Sequence, residues 1–224
     1  MPLRAVVFDV DYTIALPGPE LGPEGYRRAG ERHGLDLDPA RYEDARHGAL
    51  ETLERHPGLD HDEEVWVLFT QRILEGMGGR GDTHAAAVEL TRAWEHAEHF
   101  ELYDDALATL EVIRAHGLLI GLLSNTARDL EAFVAHHRLD ADAVLTSAVH
   151  GKTKPHATIF RRMLGLLGVD AADAVMVGDT LEDDVEGARA VGMRAVLLDR
   201  AGRYPHEPDR LDDLRELPAT LGLN

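Results

Sequence analysis

Asp9 and Asp11 stand two residues apart at the end of a short apolar run, in Ala5-Val6-Val7-Phe8-Asp9-Val10-Asp11-Tyr12-Thr13. Carboxylates this close repel each other, so their proximity calls for a cation, a proton or a catalytic task. Basic residues mark a second spot. Of 23 lysines and arginines, only Lys152 and Lys154 are lysines, and both lie in Gly151-Lys152-Thr153-Lys154-Pro155. A chain that prefers arginine everywhere else yields here to a compact ammonium on a flexible stem. Lys154 is the candidate for that role, with Lys152 a solvated neighbour. A third spot, Gly178-Asp179-Thr180-Leu181-Glu182-Asp183-Asp184, supplies further carboxylates.

These groups can act together only if the fold gathers them. Residues 4–8 read as a buried parallel strand, as do Leu118–Leu123, Ala143–Leu145, Ala174–Val177 and Ala195–Leu198. Helices are expected between them: Arg128–His137, a segment carrying Ile159, Phe160, Met163, Leu164 and Leu167, and Asp183–Val191. This alternation predicts an α/β fold with a Rossmann-like, doubly wound parallel sheet. After the first strand, Leu16-Pro17-Gly18-Pro19-Glu20-Leu21-Gly22-Pro23 breaks regular structure. From about 24 to 98 the apolar spacing is helical. Tyr42, Ala45, Ala49 and Leu53 form one stripe, Val65, Leu68, Phe69 and Ile73 a second, and Ala87, Leu90, Trp94 and Ala97 a third. The expected division is an α/β core from residues 1–16 and 99–224, with an all-helical domain, 17–98, inserted after strand one. Arg200–Pro205 reads as a surface loop before a final short helix.

In such a sheet, ligands bind beyond the carboxyl ends of the strands. Those ends present Asp9, Asp11 and Thr13; Ser124 and Asn125; Lys154; and Asp179 with Asp183 and Asp184. Their convergence on one side of one sheet is the strongest functional signal in the chain.

The bulk composition narrows the alternatives. The 224 residues include no cysteine, which excludes disulfides, thiolate chemistry and cysteine-ligated metals. No apolar run reaches the ~18 residues of a membrane span. Met1-Pro2-Leu3-Arg4 leads directly into the first strand without room for a signal peptide, so a soluble, cytoplasmic protein is expected. A formal charge of -18 repels nucleic acid and anionic lipid. It also repels phosphorylated ligands at long range, so a phosphate site here needs local positive charge. His96 and His99 fall on one helix face, with Glu95 and Glu98 as neighbours and no evident third ligand, which reads as a solvated face.

Taken in order, these segments resemble the haloacid dehalogenase superfamily, in its phosphatase-like branch with a helical cap after the first motif. Asp9-Val10-Asp11-Tyr12-Thr13 is similar to its first motif, Leu122-Leu123-Ser124-Asn125 to the second, Lys154-Pro155 to the third, and Val177-Gly178-Asp179 through Asp184 to the fourth. The resemblance implies a phosphatase acting on a small phosphorylated metabolite. Asp9 would be the nucleophile, forming an aspartyl-phosphate, and Asp11 the general acid and base. Mg²⁺ would be held by the Asp9 carboxylate, the Asp11 backbone carbonyl and the Asp179 carboxylate, with Asp183 and Asp184 on metal-bound waters. Ser124 and Asn125, the backbone of Tyr12 and Thr13, and Lys154 would bind the phosphoryl group. Tyr12 departs from the pattern, since many members carry Gly there.

Within the superfamily, a 2-haloacid dehalogenase has no acid where Asp11 stands. A phosphonate hydrolase requires a lysine in the cap, and residues 14–99 contain none. Asp11 thus argues for phosphoryl transfer, with a phosphomutase, a 2-haloacid dehalogenase and a catalytically silent binding protein kept as alternatives. A receiver-type signalling module carries similar residues, but its acidic pair follows strand one and its acceptor Asp a later strand, so the Asp9–Asp11 spacing and the helical insert count against it. Arg27, Arg28 and Arg80 are candidate cap contacts to a charged substrate, with a plain surface role as the alternative.

Overall fold

Ala5–Phe8, four apolar residues with no solvent exposure, form strand β1 at the heart of the sheet. The computed structural model describes residues 2–51, 53 and 55–223. After β1 come β2 (Ala15–Pro17), β3 (Phe100–Leu102), β4 (Leu119–Ser124), β5 (Ala143–Thr146), β6 (Ala174–Gly178), β7 (Arg194–Leu198) and β8 (Arg210–Leu211). Six of them make one parallel sheet in the order β5-β4-β1-β6-β7-β8. The chain therefore runs outward from β1 on one side and returns to β6 on the other. That reversal opens a crevice at the carboxyl end of β1.

Side chains alternate along β1 as a pleated strand requires. Val6 and Phe8 join one apolar layer, with Val175, Val177 and helices α5 (Ala106–Ala115) and α6 (Leu130–His137). Ala5 and Val7 join the other, with Met176, Ile159, Phe160 and Met163 of helix α8 (Ala157–Leu167). Both faces are covered, as the alternation predicts.

Between β2 and β3 lie helices α1 (Pro23–Arg32), α2 (Tyr42–Glu51), α3 (Glu63–Gly76) and α4 (Thr83–Ala93). They enclose their own apolar cluster, which includes Tyr26, Tyr42, Val67, Ile73, Leu74, Met77 and Leu90. The buried face of α3 differs from the expected stripe. Val67, Thr70, Ile73 and Leu74 point inward, and Leu68 is 47% exposed. The cause is that α3 packs between α2 and α4, so its buried arc is set by two neighbours. Leu53 is half-buried, while Thr52 and Glu54 lie outside the described residues. The sequence reading contained no strand at β2 or β3. They pair antiparallel, Ala15 with Leu102 and Pro17 with Phe100, and this ribbon is where the chain enters and leaves the helical module. Helix α7 (Ser147–His150), a π-helical turn (Leu181–Glu186) running into α9 (Gly187–Ala190), and the short α10 (Leu217–Thr220) complete the chain. Among the described residues no helix is long and apolar enough to cross a membrane.

Candidate active site

The turn after β1 delivers the first carboxylates. Ile14 and Ala15 both donate backbone N–H bonds to Val10 O at 3.0 Å, and Tyr12 N donates to Ala15 O at 2.6 Å. This tight loop holds Tyr12 at φ +63°, in the left-handed region. Glycine enters that region freely, and a residue with a Cβ pays roughly 1–2 kcal/mol for it. The position where many family members carry Gly is therefore a backbone requirement, which Tyr12 meets at some strain. Its ring lies under the Arg46 guanidinium of α2, 5.5 Å from the ring centre.

Asp9 is buried, and both of its oxygens are engaged. Oδ1 accepts from Lys154 Nζ at 2.6 Å, and Oδ2 accepts from Thr13 Oγ1 at 3.1 Å. Lys154 Nζ also donates to Asp184 Oδ1 at 2.6 Å. Asp184 in turn accepts from Thr180 N at 3.1 Å. Gly178 makes this approach possible, since a Cβ there would fall 2.3 Å from the Asp184 carboxyl carbon. The π-helical turn puts Asp183 and Asp184 to opposite uses: Asp184 faces inward, and Asp183 pairs with Arg55 from the segment between α2 and α3. Asp179 accepts from Thr180 Oγ1 at 3.2 Å and has Arg203 Nη2 at 3.8 Å.

Asp9, Asp179 and Asp184 each offer a carboxylate oxygen, all within 4.8 Å of one another. One ammonium cannot balance three crowded carboxylates, of which Asp9 and Asp184 are buried and Asp179 half-buried. Burial, then Asp184, pushes the Asp179 carboxyl up to about 7. Burial is also the largest cause raising the Asp9 carboxyl; Lys154 opposes it, while Asp184 and Asp179 add to it. Burial works against the charge on Lys154, but Asp184 and Asp9 more than offset it and hold the ammonium far above the usual lysine range. The surplus negative charge and the all-oxygen donor set fit a hard divalent cation.

Two expected residues have other partners. The Asn125 amide binds the Lys154 backbone with both ends, accepting from Lys154 N at 2.7 Å and donating to Lys154 O at 3.1 Å. It positions the lysine. The Asp11 carboxylate lies outside the acidic trio and accepts from Arg128 Nη2 at 2.8 and 3.1 Å. Ser124 is buried at the end of β4, and Thr13 is fully buried. Lys152 reaches the helical module, donating to Gly58 O at 2.8 Å and pairing with Asp60 at 2.5 Å. Arg27 and Arg28 pair with Glu24, Glu31 and Glu20 around the outer surface of α1, and Arg80 is exposed.

The sequence reading missed a set of arginines. Arg128 is one. Arg200 is another: it donates to Thr13 O at 3.0 Å and grips the fully buried Asp105 at 2.7 and 2.9 Å. This ties the turn after β1 to the start of α5. The segment read as a surface loop thus begins with an inward clamp, held by Asp199, which accepts from Arg203 N and Tyr204 N. Nothing local in the sequence distinguishes Arg128 or Arg200 from the other arginines.

Known proteins are similar to this chain in sequence and fold. A haloacid dehalogenase-like hydrolase family model matches residues 3–192. The chain is 37% identical to a phosphoserine phosphatase of Thermus thermophilus, over 75% of this chain and 71% of that protein. It is 33% identical to a ribulose-1,5-bisphosphate 5-phosphatase of Halopiger xanaduensis, over 87% and 84%. The solved HAD phosphatase from Thermococcus onnurineus superposes with a TM-score of 0.67 at 27% identity, covering 98% of both chains. With its parallel sheet, its carboxylate-lysine centre and these relatives, the chain belongs to the haloacid dehalogenase-like hydrolase family, in the phosphatase-like branch.

Proposed function

We propose that the protein is a Mg²⁺-dependent phosphatase that hydrolyses a small phosphate monoester in the cytoplasm. The observation that carries this reading is the buried Asp9, held between Lys154 and Thr13 beside Asp179 and Asp184. Asp9 attacks phosphorus in line as the bond to the leaving oxygen breaks, giving an aspartyl-phosphate and an alkoxide that Asp11 protonates. Asp11 then takes a proton from water, which attacks the same phosphorus and frees Asp9 and inorganic phosphate. Lys154, fixed by Asn125, balances charge on the equatorial phosphoryl oxygens. Ser124 and the backbone of Tyr12 and Thr13 complete the cradle. The Asp9 and Asp179 carboxylates and the Asp11 backbone carbonyl would hold Mg²⁺, with Asp183 and Asp184 on its waters, and the ion would supply the remaining charge neutralisation.

The helical module acts as a cap. Arg55, His56 and Trp66 from the module meet Asn125, Thr153 and Asp183 of the core around a small crevice. The phosphatase names of the relatives support a small phosphorylated metabolite as substrate. The test is a panel of phosphate monoesters with and without Mg²⁺. Turnover of at least one ester that stops on chelation is expected; no turnover of any ester would overturn the reading.

Metal affinity should depend on pH with a definite sign. The Asp179 carboxyl, pushed up to about 7, holds a proton below that pH and must release it to bind a cation. Calorimetric Mg²⁺ titrations between about pH 5.5 and 7.5 should show affinity falling up to about ten-fold per unit as pH drops below 7. A flat profile would count against this carboxylate as a ligand.

A further inference from the structure

Arg128 is among the largest fully buried side chains, and its position joins three parts of the fold. Its Nη2 holds both Asp11 oxygens, at 2.8 and 3.1 Å. Its Nε donates to the Trp94 carbonyl at 3.1 Å, at the end of α4. Its guanidinium lies 3.5 Å from the ring centre of Phe100 in β3, with Phe133 of α6 at 5.4 Å. The helical module has its own core and connects to the sheet through the β2–β3 ribbon. Trp94 and Phe100 are therefore on the path by which any swing of the module reaches the core.

The geometry has a second element. Asp11 must come within hydrogen-bond reach of the leaving oxygen to protonate it. Here its carboxylate lies off the acidic trio, in a charge-assisted contact in which the one nitrogen Nη2 serves both oxygens. Arg128 Nη1 is meanwhile buried with no hydrogen-bond partner. A buried orphan donor costs free energy, and a second arrangement of the same side chain would recover it.

We propose that Arg128 is a positioning residue that couples Asp11 to the β2–β3 ribbon, so that movement of the helical module sets where the acid stands relative to Asp9. The inference rests on the proposed role of Asp11. When the ribbon shifts Trp94 and Phe100, the guanidinium that stacks on one and binds the other shifts with them, and carries the Asp11 carboxylate. Without Arg128 the carboxylate keeps its place in the chain but loses its guide, and samples its rotamers freely.

The test exploits the leaving group. kcat/KM reports steps through departure of the alcohol, so it registers Asp11 as acid and excludes its later role as base. Glycerol phosphate has a poor leaving group that needs a proton, and p-nitrophenyl phosphate has a good one that does not. Wild type, Arg128→Met, Arg128→Lys and Asp11→Asn are compared on both with Mg²⁺. In each Arg128 variant, kcat/KM on glycerol phosphate should fall about ten-fold, part of the ~10²–10⁴ that acid–base catalysis contributes. The fall on p-nitrophenyl phosphate should stay below about two-fold, since little proton transfer is needed there. Arg128→Lys keeps charge and bulk, so it retains the fold if Arg128→Met does not, and it cannot hold Asp11 and Trp94 together. Equal falls on both esters, or none, would overturn the proposal while leaving a phosphatase that needs Asp11. A wild type inert to both esters, or an Asp11→Asn variant as active as wild type, would instead remove the reading of the site on which it rests.

Discussion

Asp9→Asn should abolish metal-dependent turnover, by at least about 10⁴-fold, because removal of a nucleophile eliminates the covalent route. The same substitution should leave the protein folded. Asn keeps the shape of the side chain: its Oδ1 can still accept from Lys154 Nζ, and its Nδ2 can donate to the Thr13 hydroxyl in place of the bond that Asp9 accepts there. It also removes one of three crowded carboxylates. The folded-state carboxyl of Asp9 lies above its unfolded value, so folding forfeits stability as pH rises through that raised value. An amide has no such penalty. The metal-free melting temperature of the variant at neutral pH should therefore hold or rise. Steady-state kinetics with a scanning melt on the same preparation checks both. Full activity in Asp9→Asn would end the aspartyl-phosphate mechanism.

Lys154→Met should damage both rate and stability, and metal should separate the two. Lys154 is the ammonium between Asp9 and Asp184, and all three are buried. Removing one partner of a buried ion pair costs about 3–5 kcal/mol, since the remaining charges stay desolvated. The metal-free variant should lose stability on that scale in urea denaturation. The proposed Mg²⁺ site exists only in the folded state, so Mg²⁺ should recover much of the loss by mass action. It should not recover the rate. In the proposed mechanism the ammonium also faces the transferring phosphoryl group, and losing such a stabiliser costs about 10²–10³ in kcat. Recovery of both by Mg²⁺ would show that the lysine only neutralises carboxylates.

The parallel sheet and the residues at its strand ends were legible because they follow from local rules. Apolar runs such as Ala5–Phe8 and Ala174–Gly178 each stop at a polar group, and the alternation with helices fixes their direction. The strand-end residues themselves needed no contact information. Other features depend on tertiary reach. β2 and β3 are three residues long, and β2 contains Pro17, so neither gives a periodic signal. Arg128 and Arg200 are two of 21 arginines, and nothing local marks them as the ones that turn inward. The division of labour between Asp183 and Asp184 depends on the π-helical turn, which shifts the facing of consecutive residues. A regular helix from Asp183, as the sequence suggested, would not reveal that the neighbour of the buried Asp184 belongs to Arg55.

The central position of β1 also bears on how the chain acquires its fold. Ala5 pairs with Leu119 on one side and Ala174 on the other, so β1 is synthesised before both of its neighbours and is among the last strands to be enclosed. At typical elongation rates of ~5–20 residues per second, its apolar residues wait about 10–30 s for both neighbours. The helical module, finished by Ala93, depends on no part of the sheet for its core and can condense in that interval. Its ribbon ends at Leu102, directly paired with Ala15, and so pins the waiting strand close to the segment that will supply its partners. In a nascent chain, the module that later covers the site shortens the search that builds it.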